Sequence, residues 1–219
     1  MKKLLITIDG PAGAGKTTVS RSLAKRLGYR YIDTGALYRA VALAVKTSEI
    51  DPENDDDLKQ LCTGLKLAFV LQKEGLRLLL NGEDITDRIR TAEITMLASA
   101  VSARQVVREC LLEMQRNLGK EKAVVFEGRD MGTVVFPQAD LKFFLSANAQ
   151  TRALRRYDEI KSKSSQTLED VSLDIRRRDN DDSTRNLAPL KPASDAIMVD
   201  STDLSVSEVV ELMVSHING

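Results

Sequence analysis

The 219-residue sequence predicts an α/β fold, with a central parallel sheet between helices and a small antiparallel insert. Three observations lead there. An apolar run from Leu4 to Asp9 meets a glycine loop and then a helical pattern, and a second short strand and helix follow, the order of a βαβ unit. Alternating leucines in the middle of the chain end at Asn81-Gly82, a hairpin signature. Two later apolar runs, Ala123 to Phe126 and Leu141 to Leu145, meet chemically active residues at their C-terminal ends, where open α/β sheets bind ligands.

Taken in order, Leu4 to Asp9 is short and β-rich, as expected of a buried central strand. Lys16 to Leu27 carries Val19, Leu23, Ala24 and Leu27 on one stripe and is closed by Gly28, a helix C-terminus. Tyr31 and Ile32 form a second strand ending at Asp33. Gly35 to Val45 repeats apolar residues at helical spacing, with Leu37, Val41 and Ala44 or Val45 along one side.

The pattern then changes. Asp51 to Asp57 is an acidic, Pro-containing surface stretch. Leu65, Leu67, Phe69 and Leu71 alternate with other residues, as do Leu76, Leu78 and Leu80, with Lys73-Glu74-Gly75 between them. This predicts a hairpin insert at about residues 63–95. Helical patterning runs from Thr91 to Leu118 and stops at Gly119. After the two apolar strands, Ala149 to Ile160 and Leu168 to Arg178 read as helices joined by the polar stretch Lys161 to Gln166. Ala196 to Val199 is a last strand, and Ser205 with Glu208 forms a capping box for a closing helix through Ile217. The expectation is one domain over 1–219, with the insert at about 63–95 and a lid at about 155–187.

Lys+Arg and Asp+Glu are both 32, so the formal net charge is zero. A protein that coats a nucleic acid polymer needs surplus cation, so no such partner is expected. With two cysteines and one histidine, neither a disulfide framework nor a Cys/His metal centre is available. The apolar run after Lys2-Lys3 ends at Asp9, and no run reaches the ~18 residues of a membrane span. The expected setting is cytoplasmic, with no membrane. With net charge near zero and no coiled-coil pattern, a monomer is expected.

The chemistry begins at Gly10-Pro11-Ala12-Gly13-Ala14-Gly15-Lys16-Thr17-Thr18, which fits G-x-x-x-x-G-K-[ST] at every fixed position. The glycines let backbone N–H groups turn onto phosphate oxygens, and the following helix adds its positive end. Lys16 supplies a point charge for the β/γ oxygens, and a threonine hydroxyl can hold Mg2+. No Asn-Lys-x-Asp guanine reader is present, which favours a small kinase over a GTPase. Phosphoryl transfer needs cations around the moving group and the acceptor. Arginines stand beside every predicted ligand-facing turn: Arg39, Arg108, Arg129, the group Arg152, Arg155 and Arg156, and the group Arg176, Arg177, Arg178 and Arg185.

The glycine loop, Asp33-Thr34-Gly35-Ala36-Leu37-Tyr38-Arg39, Gly128-Arg129-Asp130-Met131-Gly132-Thr133, and Arg178-Asp179 with Asp182, Arg185 and Ala188-Pro189-Leu190 together resemble the bacterial cytidylate kinases. These are P-loop nucleoside monophosphate kinases, and the similarity runs through essentially the whole chain. The resemblance implies a P-loop kinase three-layer fold, an inserted nucleotide-binding subdomain, a helical lid, and the reaction of MgATP with CMP or dCMP. It implies that Thr34, Arg108, Asp130 and Arg185 surround the pyrimidine, and that Ser99, Arg178 and Asp182 lie near the sugar. It puts Arg39 and Arg129 on the acceptor phosphate, and Lys16, Arg129, Arg155, Arg156 and Arg178 around the transferred group. Two departures stand out. Thr34 replaces a serine of a common family member, and Thr17 stands where the family often has glycine, so Thr17 and Thr18 are both candidates for the Mg2+ shell. A kinase of UMP or AMP, and a P-loop regulator that only binds nucleotide, are the alternatives.

Overall fold

The computed structural model describes residues 2–218 apart from 73, 74 and 163. In chain order the elements are β1 (Leu5–Asp9), α1 (Lys16–Leu27), β2 (Arg30–Asp33), α2 (Thr34–Thr47), α3 (Asp55–Gly64), β3 (Leu67–Gln72), β4 (Gly75–Leu80), β5 (Glu83–Asp84), α4 (Ala92–Ser102) and α5 (Gln105–Gly119). There follow β6 (Val124–Gly128), a π-helical turn (Met131–Val135), β7 (Leu141–Ser146), α6 (Ala149–Ile160), α7 (Leu168–Thr184), β8 (Ile197–Asp200) and α8 (Val206–Asn218). The chain divides into two compact units, one of Met1–Asp33 with Gly119–Gly219, the other of Thr34–Leu118.

The first unit holds a five-stranded sheet in the order β2-β6-β1-β7-β8, parallel throughout. β1 and β6 lie inside it and are buried along their whole length, which is why they read as unbroken runs rather than alternations. Ile6, Ile8 and Phe143 of the sheet pack with Val19 and Leu23 of α1 and Met213 of α8. Gly28 ends α1 in a left-handed conformation, as its position predicted. The Ser205–Glu208 capping box is present: the Ser205 N–H and hydroxyl donate to the Glu208 carboxylate, and the Glu208 N–H donates back to Ser205 Oγ. A separate small cluster of Ala153, Val171 and Ile175 joins α6 to α7.

The second unit has its own core, in which α2 contributes Leu37, Val41 and Leu43, α3 contributes Leu58, and α5 contributes Leu111. Its antiparallel sheet, β3-β4-β5, spans Leu67 to Asp84 inside a unit wider than the hairpin insert of about 63–95. Asn81 and Gly82 turn β4 into β5 with φ of 51° and 90°, the left-handed pair that an Asn-Gly hairpin requires. The expected turn at Lys73-Glu74 lies outside the described residues.

Three expectations need correction. The acidic stretch Asp51 to Asp57 contains the start of α3: the Asn54 side chain accepts from the N–H groups of Asp56 and Asp57, and three aspartates sit at the positive end of the helix. The helix expected from Thr91 to Leu118 is two helices, α4 and α5. At their junction Ala103 and Arg104 donate to carbonyls three residues back, at 3.1 Å each, and the Arg104 guanidinium is held by Asp55 and the Glu53 carbonyl. Last, α7 continues past Arg178 to Thr184, which sets Arg178 and Asp182 one turn apart on one face.

No helix among the described residues is long and apolar enough to cross a membrane. Gly119 ends α5 for want of room rather than for backbone freedom. A Cβ there would meet Phe136 at 2.6 Å and Leu5 at 2.9 Å. Gly119→Ala is therefore expected to lower stability by about 1–3 kcal/mol, the cost of overpacking a filled core. Urea unfolding checks this, and a variant as stable as the parent would show that Phe136 yields freely.

Candidate active site

In the first unit, the register of β1 with β6 sets Asp9 beside Gly128. The loop after β1 and the turn after β6 thus start side by side, at the C-terminal edge of the sheet, where its order changes direction about β1. The loop needs its first glycine. Gly10 has φ of 151°, and a Cβ there would lie 2.0 Å from the Leu145 carbonyl oxygen. Gly13 and Gly15 also have positive φ, so the backbone from Pro11 to Gly15 curls ahead of α1, the form that aims N–H groups at an anion.

Lys16 opens α1, is 8% exposed, and its Nζ donates to the Pro11 carbonyl at 2.7 Å. Burial, reinforced by the neighbouring Arg129, holds its pKa well below the ordinary lysine value. An anion in the loop would oppose that shift, so the ammonium is poised to take phosphate. The loop is braced from outside. Arg152 donates to the Ala12 and Ala147 carbonyls and pairs with Asp179, which also accepts from the Ala12 N–H. Ser201 Oγ donates to the Ala14 and Ser146 carbonyls.

The candidate arginines have separate placements. Arg155 donates to Ser201 Oγ at 3.0 Å and to its carbonyl at 2.6 Å, with one guanidinium nitrogen 3.9 Å from where a Gly15 Cβ would stand. Arg156 pairs with Glu159 one turn on and is half-exposed. Arg129 Nε donates to Asp182 at 2.8 Å, and the Arg185 guanidinium lies 3.7 Å from the other oxygen of that carboxylate. Burial pushes the Asp182 carboxyl up, but Arg129, Arg178 and Arg185 outweigh it and hold it below the usual aspartate value. Arg129, Arg178, Asp182 and Arg185 are thus one cluster, with Asp130 buried beside Arg129 in sequence. Thr17 Oγ1 donates to Glu127 Oε1 at 2.9 Å, and Thr18 is exposed.

In the second unit, Thr34 is fully buried at the start of α2, while Arg39 on α2 and Ser99 on α4 are half-buried. Arg108 lies on α5, the second of the two helices. Its guanidinium stands 5.7 Å from the centre of the Tyr38 ring and donates to the Ser102 carbonyl at 3.1 Å. Tyr38 is one turn after Thr34 on α2, so Arg108 reaches the face that carries that hydroxyl and is not a solvated surface charge.

Sequence reasoning passed over four residues here. Asp9 was only the end of an apolar run, yet it is buried and accepts from the N–H groups of Met131 and Gly132 at 2.9 and 2.8 Å. Glu127, next to last in β6, is likewise buried and accepts from Thr17 Oγ1. A carboxylate at or next to the end of an otherwise apolar buried strand is the available signal for both. In the sequence Arg152 stands only as one of a group of arginines and Asp179 only within the Arg178-Asp179 motif, because their partner Ala12 is distant in sequence.

The cytidylate kinase family model matches residues 6–219. The cytidylate kinase of Geobacter sulfurreducens is 52% identical over 213 residues, 97% of this chain and 91% of its own. That of Pseudomonas aeruginosa is 47% identical over 215 residues, covering 97% of this chain and 94% of its own. Among solved structures, a shikimate kinase from Bacteroides thetaiotaomicron matches over 100% of both chains with a TM-score of 0.51 at 12% identity, a likeness of fold.

Burial raises the Asp9 carboxyl to about 6, its backbone N–H bonds only partly offsetting the lost hydration. The folded protein therefore binds this proton more tightly than the unfolded chain. The contribution of Asp9 to stability is greatest below the unfolded value and is lost as pH rises through about 6, a change of roughly 3 kcal/mol. Glu127, raised to about 7 by burial and by Asp33, acts in the same sense. Urea unfolding across this range should show stability falling with pH, less steeply in Asp9→Asn. An equal slope in the variant would remove Asp9 as a source.

Proposed function

The chain belongs to the cytidylate kinase family, and from that premise we infer how its residues carry the family's reaction. The enzyme transfers the γ-phosphoryl group of ATP to CMP, giving ADP and CDP. The observation that carries this reading is the pairing of a complete phosphate loop with the Gly128-Arg129-Asp130-Met131-Gly132-Thr133 turn, set side by side by the β1–β6 register.

ATP places its phosphates in the loop from Gly10 to Thr18. The backbone N–H groups and Lys16 neutralise charge on the β and γ phosphates, and the raised cost of an unpaired Lys16 ammonium favours the loaded state. Mg2+ fits the donors present, since the hydroxyls of Thr17 and Thr18 and the Glu127 carboxylate are hard oxygens at the mouth of the loop. When bound, the ion would supply further charge neutralisation at the phosphates. Because Glu127 accepts the Thr17 proton, Thr17 keeps its lone pairs free, and it is the threonine we assign to that shell.

The acceptor is already a phosphate dianion, so no strong base and no covalent intermediate are needed. Positioning and charge do the chemistry. On the acceptor side, Arg39 and Arg129 take the CMP phosphate. Ser99, Arg178 and Asp182 take the sugar, which in this reading is ribose or deoxyribose. Thr34, Arg108, Asp130 and Arg185 read the base. Cytosine offers an N4 donor beside N3 and O2 acceptors. An arginine can donate to the acceptors, and a hydroxyl or carboxylate can accept from N4. Uracil reverses that pattern at N3 and position 4. The helical lid is the segment at about 155–187, with Arg155, Arg156 and Arg178 brought onto the transferred group when it closes. The enzyme acts as a cytoplasmic monomer in this reading.

Two measurements test it. A coupled ADP-release assay over CMP, dCMP, UMP and AMP should give the highest kcat/KM with CMP or dCMP and little ATP consumption without acceptor, because an open site leaves the phosphoryl group uncommitted. Equal ATP consumption with and without CMP would contradict the closing site. Arg108→Met should cost about 2–4 kcal/mol in kcat/KM for CMP, or roughly 30- to 1000-fold, through unpaired ring acceptors. UMP should lose much less. An equal loss for both would assign Arg108 to phosphate or to the fold.

A further inference from the structure

The turn that presents Arg129 and Asp130 is closed locally through the Asp130 carbonyl, which accepts from the Val134 and Val135 N–H groups. Asp130 precedes the π-helical turn Met131–Val135 without capping it through its side chain. The first N–H groups of such a turn have no partner within it. Here they are taken from another strand: Asp9 Oδ1 accepts from Met131 N–H at 2.9 Å, and Asp9 Oδ2 accepts from Gly132 N–H at 2.8 Å, across 122 and 123 residues of sequence. Both carboxylate oxygens are used, and Asp9 is 5% exposed.

The seat is closely built. A Cβ on Gly132 would lie 3.2 Å from Lys142 Cδ, 3.2 Å from Thr7 Oγ1 and 3.4 Å from Asp9 Oδ2. Lys142 is itself held by the Pro137 carbonyl and by both Asp195 oxygens. The groups acting on the Asp9 charge are Lys16, which favours it, and Asp130, which opposes it. The chain thus keeps an anion in a buried place where a neutral group would be cheaper, next to a like charge.

We propose that Asp9 is a positioning residue for the acceptor side. Gripping the Met131 and Gly132 N–H groups from the end of β1, it fixes the direction in which Arg129 and Asp130 leave β6, and ties that direction to the start of the phosphate loop at Gly10. One carboxylate then references both halves of the reaction to the same strand. The inference rests on the reading that Arg129 and Asp130 serve CMP.

The test uses the full chain and three variants: Asp9→Asn, Gly132→Ala and Asp130→Asn. Asparagine keeps the shape of Asp9 but offers one acceptor and sets a donor against the second N–H. In Asp9→Asn, amide exchange followed by NMR should be at least about tenfold faster at Met131 and Gly132, the loss of a charge-assisted bond, while β1 amides stay protected. KM for CMP should rise at least about fivefold with KM for ATP within about twofold. Gly132→Ala, which keeps the Asp9 carboxylate and crowds the turn against Lys142 and Thr7, should shift KM for CMP in the same direction, so the idea stays testable if Asp9→Asn folds poorly. Unchanged exchange at the two amides would overturn the proposal. So would KM values for CMP and ATP rising together with a loss of protection throughout the sheet. An Asp130→Asn enzyme with parental KM for CMP would instead sink the acceptor-side reading, and amide exchange alone would then report whether Asp9 holds the turn.

Discussion

The parallel pairing of β1 with β6, in the register that levels Asp9 with Gly128, is the constraint on which the first unit's chemistry depends. It is set by two strands so apolar that both must be buried on both faces, which leaves them no exposed edge and no tolerance for slippage. At its C-terminal end the pairing delivers the glycine loop and the arginine turn to the same edge of the sheet. Chain segments far apart in sequence thereby become neighbours without any contact between their functional side chains having to specify it.

That edge holds more buried charge than stability alone would select. Lys16 is held below its normal pKa, while Asp9 and Glu127 are held above theirs, in each case because burial opposes the charged form. Asp182 is the exception, since the surrounding arginines outweigh the cost of its burial. The difference has a plain cause. Asp182 is surrounded by arginines that outweigh its burial, whereas Lys16 has Glu127 and Asp182 near it but also Arg129 and Arg178, and burial prevails. Perturbed buried charges of this kind cluster at functional sites.

The arginines show why residue type is a weak guide to role. The sequence sets all of them beside ligand-facing turns on similar grounds, but the folded chain sorts them. Arg152 is structural to the loop, bracing Ala12 together with Asp179. Arg155 is engaged by Ser201, and Arg156 by its neighbour Glu159. Arg129 and Arg185 converge on one aspartate, which fixes their planes relative to each other. A guanidinium with two fixed acceptors has lost most of its rotamer freedom before substrate arrives, so it can bind without a further entropic cost.

The sequence by itself determined the sheet strands, the glycine loop, the Asn-Gly turn, the final capping box and the family, because each is a local pattern: a periodicity, a backbone requirement or a short motif. Its helix boundaries failed where a local side chain or a distant ionic contact intervened, as at Asn54 for α3 and at Arg104 between α4 and α5. The tertiary structure alone decided the partners of the charged groups. Asp9 with the turn at Met131, Thr17 with Glu127, and Arg152 with Ala12 are each separated by more than 100 residues. Such pairings carry no sequence spacing to detect, because they are fixed by strand register and burial, and a buried carboxylate or guanidinium must find whatever polar partner the packed sheet brings to it.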